Sequence, residues 1–236
     1  MKRGLSRLFP ALLLASLLCG TASAQEGGRA QELIARGNER YARGEYRSAI
    51  AEYERVARAD GEAYAQALYN IGVCRFELWQ TEAAVGAYRQ ALAAHDGRYP
   101  KASYALGVAL EELKQEAEAR KAYREAASEE YAPAHYKLGM LAAGAGDDAA
   151  AAEHFREAVR CSKERFPAGH NNLGVMLARA GRLAEAEREF EAAVRESEVP
   201  FAEAANNLKL CRKLLAGRSK DVAALKVAAA ADGFKR

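Results

Sequence analysis

Five glycines constrain this chain more than anything else in it. Gly37, Gly72, Gly107, Gly139 and Gly174 follow one another at steps of 35, 35, 32 and 35 residues. Twelve residues after each stands an alanine: Ala49, Ala84, Ala119, Ala151 and Ala186. Sixteen after each stands an aromatic: Tyr53, Tyr88, Tyr123, Phe155 and Phe190. An aliphatic residue precedes four of them (Ile71, Leu106, Leu138, Leu173), with Arg36 in the first copy. A period of this length marks stacked supersecondary units. Each glycine lies inside an alanine-rich helical run, such as 65–78 or 169–180, where it costs about 1 kcal/mol relative to alanine. Close packing would offset that cost, with no side chain on one helix and the alanine methyl on the next. The aromatic one turn past the alanine shares its face and would fill the gap at the end of the pair. Gly44, Gly146 and Gly181 mark short turns, and Pro100, Pro133, Pro167 and Pro200 stand ahead of the next first helix, where proline is tolerated. A single helix pair cannot cover its own apolar face, so the copies must stack.

These glycine, alanine and aromatic positions resemble the signature of the tetratricopeptide repeat family over roughly residues 30–200. The resemblance implies an all-α chain: a right-handed α-solenoid of five helix-turn-helix repeats at 30–63, 65–98, 100–131, 132–165 and 167–200. Ser103, His135 and His170 stand where the family prefers a large apolar residue, and Arg75 and Glu111 interrupt the apolar stripe. The shorter third step trims the loop at 128–132. A sixth copy starts and fades. Asn206-Asn207-Leu208-Lys209 mirrors Asn171-Asn172-Leu173-Gly174, but Lys209 replaces the glycine and Asp221 the alanine. Residues 201–216 read as a capping helix or partial sixth repeat. The tail, 217–236, reads as a weak helix from Lys220 to Ala231 or as a loose segment.

The first 24 residues read as an export signal. Lys2, Arg3 and Arg7 form a basic start, residues 8–18 an apolar run too short to span a bilayer comfortably, and Ala22-Ser23-Ala24 a cleavage pattern before Gln25. A short linker at 25–29 then precedes the repeats. Cys19 leaves a lipoprotein signal open, although Leu18 before it is not the usual small residue. Cleavage between Ala24 and Gln25 implies a soluble periplasmic protein, and lipidation of Cys19 an anchored one. Three of the 35 basic residues lie in this leader, which has no acid, so the remainder carries 32 charges of each sign. That balance gives no electrostatic reason to expect nucleic acid or an anionic membrane as partner.

No catalytic constellation, cofactor motif or metal-ligand spacing is legible, which argues against an enzyme, a cofactor or a small-molecule substrate. His135 and His170 fall in the same slot of consecutive repeats, within roughly 10 Å of each other, and read as packing residues rather than ligands. Cys74, Cys161 and Cys211 are an odd number outside the leader and read as small buried apolar side chains.

What remains is an interaction surface. In the family, the first helix of each pair lines the concave face. Three residues before the glycines stand Ile34, Tyr69, Tyr104, Tyr136 and Asn171; one after them stand Asn38, Val73, Val108, Met140 and Val175. The two series are four apart and share a helical face. Tyr41 and Phe76 extend the apolar strip. Tyrosine offers large contact area with a polar tip, so this row predicts a groove for a peptide or helix of a partner protein. The alternatives are packing between repeats, or a groove filled by the chain's own C-terminal segment. Asn38, Asn70 and Lys101 match positions at which carboxylate-clamp members of the family hold a partner's C-terminus, but Ile34 and Ala105 replace the clamp's other basic residues. Asn70, Asn172 and Asn207 share the position two before the glycine slot. An amide there either holds an extended backbone through both its donor and its acceptor, or serves helix packing.

Overall fold

The computed structural model describes residues 28–163 and 165–228, and Cys19, Ala24 and Gln25 lie outside them. The described residues are helical, without strands. After α1 (28–42) come α2 (Tyr46–Tyr53), α3 (Glu62–Glu77), α4 (Thr81–Ala94), α5 (Pro100–Glu112) and α6 (Glu116–Ser128). Then follow α7 (Ala132–Gly144), α8 (Asp148–Cys161), α9 (Pro167–Arg179), α10 (Leu183–Glu196) and α11 (Ala202–Leu215). The helix is already running at residue 28, so the last two residues of the expected linker belong to α1. The chain forms two compact units, divided between Ala102 and Ser103. In the first, α2 packs on α3 and α3 on α4. In the second, α6, α7, α8, α9, α10 and α11 each pack on the next helix in the chain or its hairpin partner, and α11 also reaches α9.

The five glycines close the hairpins, though against a different partner from the expected alanine. A Cβ placed on Gly72 or Gly107 would come within 2.5 Å of the ring of Tyr88 or Tyr123; on Gly139 it would meet Phe155 at 2.7 Å and on Gly174 Phe190 at 2.8 Å. Gly37 stands in the same relation to Tyr53. The aromatic therefore lies flat on the glycine instead of filling the end of the pair. The alanines are buried beside these rings, as their spacing requires: Ala49, Ala84, Ala151 and Ala186 have no exposed surface and Ala119 almost none.

Turn chemistry follows the same period. Gly44, Gly146 and Gly181 turn the chain between the helices of a pair with φ of 76°, 79° and 77°. Trp79 and Lys114 adopt the same left-handed conformation at the matching turns of the second and third repeats, where a side chain is strained. Only residues 129–131 link α6 to α7, where 95–99 and 162–166 separate the corresponding helices elsewhere. This is the loop expected to be shortened.

Past α11 the weak-helix alternative for the tail does not hold over the described residues, and the alternative in which the tail lies on the row applies at Tyr136. Gly217 ends the helix with φ of 66°, and a single 3-10 turn follows at Val222–Ala224. Leu225 is extended, with ψ of 131°, and no helix spans 225–228. A short alanine-rich helix without a partner is marginal in water, and here its backbone finds other hydrogen bonds.

Gly139→Leu should force Phe155 off the helix and lower stability by about 1–3 kcal/mol, the usual cost of overpacking. Lys209 occupies the same slot in α11 but is exposed, so Lys209→Leu should change the melting temperature little. Equal losses at the two positions would contradict the glycine–ring account.

Candidate functional site

The tyrosine row is built identically three times. Tyr69 packs between Tyr88 and Tyr99, with ring centroids 5.9 and 5.4 Å apart. Tyr104 packs between Tyr123 and Tyr131, each at 5.6 Å. Tyr136 packs between Phe155 and Phe166, at 5.5 and 5.1 Å. One neighbour is the ring lying on the repeat's glycine and the other immediately precedes the next first helix, so each row tyrosine bridges consecutive copies within its unit. Tyr69 and Tyr104 remain half-buried. Tyr136, expected to be partly exposed, is buried, 3% accessible. Ile34, its counterpart in the first copy, is likewise buried.

The segment after α11 covers Tyr136. Asn172 donates from Nδ2 to the Ala228 carbonyl (3.1 Å) and accepts the Ala228 N–H at Oδ1 (2.8 Å). Asn207 treats Lys226 in the same way, donating to its carbonyl at 2.8 Å and accepting its N–H at 3.0 Å. Asn171 adds a bond to the Lys226 carbonyl at 3.2 Å, and the Tyr136 hydroxyl donates to the Ala228 carbonyl at 3.2 Å. Leu225 and Ala228 are buried, with Val222 and Val227 packed against the same core cluster, while Lys226 is exposed. The tail thus crosses α11, α9 and α7 as a non-helical segment, held through its backbone.

The receiving amides are themselves positioned. Asn171 Nδ2 donates to Asn172 Oδ1 (3.0 Å), and Asn207 Nδ2 donates to Asn171 Oδ1 (2.9 Å). Asn172 Nδ2 also reaches the Tyr136 hydroxyl (3.0 Å) and the Met140 sulfur (3.4 Å). Burial pushes the Tyr136 hydroxyl up to about 12, against the bond from Asn172, which pulls it down. The phenol therefore stays protonated and free to donate to a carbonyl. All three asparagines are fully or almost fully buried, and a buried amide without partners is costly. The ladder thus holds the tail by its backbone rather than by a side chain.

In the first unit the corresponding groups meet one another. Asn70 donates to Asn38 Oδ1 at 3.3 Å, and the Tyr53 hydroxyl donates to the same oxygen at 2.7 Å. Tyr41 stacks on Tyr46 at 5.4 Å, and Val73 and Phe76 are half-buried. Lys101 is exposed; Val108 is half-buried, like Met140. The structure therefore brings Tyr136, Met140, Asn171 and Asn172 into one constellation and joins Asn38 to Asn70. Asn207, Leu225 and Ala228 complete the constellation; of these, sequence periodicity pointed only to Asn207.

Both histidines of the shared slot pack within a hairpin. His135 Nδ1 lies 3.4 Å from His154 Nδ1. His170 sits against Glu189 (2.7 Å) and Glu196 (3.3 Å). The same nineteen-residue relation operates in both repeats, because each histidine faces the second helix of its own hairpin rather than the next first helix. Cys74 and Cys211 are buried free thiols, whereas Cys161 is only partly buried.

A family model for the tetratricopeptide repeat matches residues 34–78, 77–135, 117–165 and 136–203. The chain belongs to the tetratricopeptide repeat family, whose members mediate protein–protein interactions and are generally non-catalytic scaffolds. No curated protein sequence matches it. Among solved structures it is similar to PilF of Pseudomonas aeruginosa, with a TM-score of 0.65 and 20% identity over 85% of this chain and 89% of that one. PilW, a widely conserved type IV pilus biogenesis factor, matches with a TM-score of 0.57 and 18% identity over 82% and 89%. YrrB, a repeat protein with an unusual peptide-binding site, matches with a TM-score of 0.51 and 23% identity over 81% and 97%. At these identities the likeness is one of fold.

Tyr123 has no exposed surface and Tyr104 is half-buried. Tyr123→Ala should therefore cost about 3–5 kcal/mol, as a large buried cavity does. Tyr104→Ala gives up two ring contacts, one tilted and one edge-on, worth roughly 0.5–1.5 kcal/mol each, and should melt nearer the parent. Equal melting temperatures for the two variants would make the row core rather than surface.

Proposed function

We propose that this chain is a non-catalytic adaptor of the cell envelope that grips an extended segment of a partner protein by its backbone, in the seat formed by Tyr136, Asn171, Asn172 and Asn207. One observation carries the reading: two asparagines each bond both the N–H and the C=O of one tail residue, Lys226 and Ala228. Backbone pairing of this kind accepts many sequences, and the buried Leu225 and Ala228 positions add a preference for an aliphatic side chain beside one gripped residue and a small one at the other. The tail occupies the seat as an internal ligand. A segment tethered so closely has an effective concentration on the order of mM, so a partner must displace it, and its apparent affinity falls by the fraction of time the seat is covered. YrrB, with its peptide-binding site, supports peptide capture on this fold.

A second reading is an outer-membrane lipoprotein anchored through Cys19 and resembling a secretin pilot or outer-membrane assembly factor; the likeness in fold to PilW, a type IV pilus biogenesis factor, supports its placement in the envelope. Both readings put the chain in the envelope, the periplasm if it is cut before Gln25, and both use the same seat.

A chain ending at Ser219, with folding verified by circular dichroism, should bind a labelled peptide copied from residues 221–230, while the full chain should bind it far more weakly. Asn172→Ala in the shortened chain should weaken the peptide by about 1–3 kcal/mol, the cost of stranding polar groups. That is roughly fivefold to a hundredfold in dissociation constant. Equal binding by the full and shortened chains, or indifference to Asn172→Ala, would overturn the proposal.

A further inference from the structure

The α7–α8 hairpin carries a group of donors that the seat does not use. Glu157 and Cys161 are four residues apart on α8 and so share a helical face. His135, near the start of α7, faces them because the antiparallel hairpin sets the beginning of one helix beside the end of the other. His135, Glu157 and Cys161 each bring one ligand atom within 4.8 Å of the others. His154, one turn before Glu157, adds a second imidazole, with its Nδ1 3.4 Å from that of His135.

That separation is long for an N–H···N hydrogen bond. It does match the spacing of two imidazole nitrogens on one tetrahedral zinc: at a Zn–N distance of about 2.0–2.1 Å, the nitrogens lie roughly 3.3–3.4 Å apart. Burial, the leading influence on both rings, lowers the pKa of His135 and His154, so each presents a neutral ring with a free lone pair. Two imidazoles, a thiol and a carboxylate are the ligand types zinc selects, whereas calcium and magnesium require oxygen.

One group opposes a cation. Arg160 lies 2.8 Å from Glu157, but it is exposed and also bonds Glu130 at 2.9 Å, so it can turn to that carboxylate alone. The next repeat shows what distinguishes this hairpin. At the positions matching His135, His154, Glu157 and Cys161 it has His170, Glu189, Ala192 and Glu196, and there two carboxylates hold the histidine.

We propose that His135, His154, Glu157 and Cys161 form a structural site for a zinc-type divalent cation that ties α7 to α8. Binding displaces the thiol proton of Cys161 to solvent and draws His135, Glu157 and Cys161, now within 4.8 Å of one another, in to tetrahedral distances, with His154 as the fourth donor.

The test uses the untagged full-length chain, reduced and stripped of metal, titrated with zinc by calorimetry and with cobalt by absorption. The expected result is one equivalent of zinc, a raised melting temperature, and a thiolate-to-cobalt charge-transfer band. Cys161→Ser should abolish the band, and Cys161→Ser and His135→Gln should each weaken zinc by at least about tenfold. His170→Gln should leave zinc binding unchanged. Absence of zinc binding would overturn the site, as would binding that Cys161→Ser and His135→Gln leave intact. Circular dichroism of each variant separates loss of the site from loss of the fold.

Discussion

The contact between a glycine and the aromatic ring sixteen residues later governs the geometry of every repeat. Removing one Cβ lets a first helix accept a flat ring from the second, and nothing larger fits. At Gly72, Gly107, Gly139 and Gly174 even a methyl would meet the ring at 2.5–2.8 Å. The hairpin is thereby fixed in depth and rotation, and this decides which residues of the first helix remain outside it. Tyr136 and Asn171, three before their glycines, and Asn172, two before, are left to face the tail. Tyr69, Tyr104 and Tyr136 then recur in one setting, each against its own repeat's ring and one aromatic from the following connection.

With the hairpins fixed in this way, the fourth to sixth repeats make a backbone reader. Asn172 and Asn207 lie in the same slot of successive first helices, and they hold residues 228 and 226 of the tail. The match is geometric. Neighbouring first helices stand about 8–10 Å apart, and two residues of an extended chain span roughly 6–7 Å, close enough for one amide per helix to address alternate residues. Side-chain amides satisfied in this way carry little net energy of their own, but leaving them dry and unpaired is costly. The tail completes the pairing of these amides at low entropic cost.

The repeat was fully legible because its signal is redundant: glycine, alanine and aromatic recur five times at fixed offsets. The slot shared by Asn70, Asn172 and Asn207 was legible too, though not whether it holds a backbone or serves packing, and the trim read at 128–132 falls where the link is 129–131. What the residues do to one another was less legible. Smallness alone makes the alanine the natural partner of the glycine, yet the ring takes that place. The stretch 220–231 has helical composition, and composition carries no record of the hydrogen bonds that Asn172 and Asn207 offer to the tail backbone. His135 and His170 share a slot, but periodicity alone does not say whether a slot faces the next repeat or its own hairpin; both face inward, toward His154 and Glu189. The pairing with His154 was hidden for that reason, and with it the donor group at Glu157 and Cys161.

The central claim is that the seat holds an extended backbone through two amides, and residue-resolved hydrogen exchange measures this directly. The Lys226 and Ala228 N–H groups donate to Asn207 and Asn172, at 3.0 and 2.8 Å. Both should exchange well below the rate of an unstructured chain, while the neighbouring Val227 amide, to which neither asparagine bonds, should exchange faster. Asn172→Ala should release the Ala228 amide first and Asn207→Ala the Lys226 amide first. Exchange of both amides at unstructured rates in the parent protein would contradict the account.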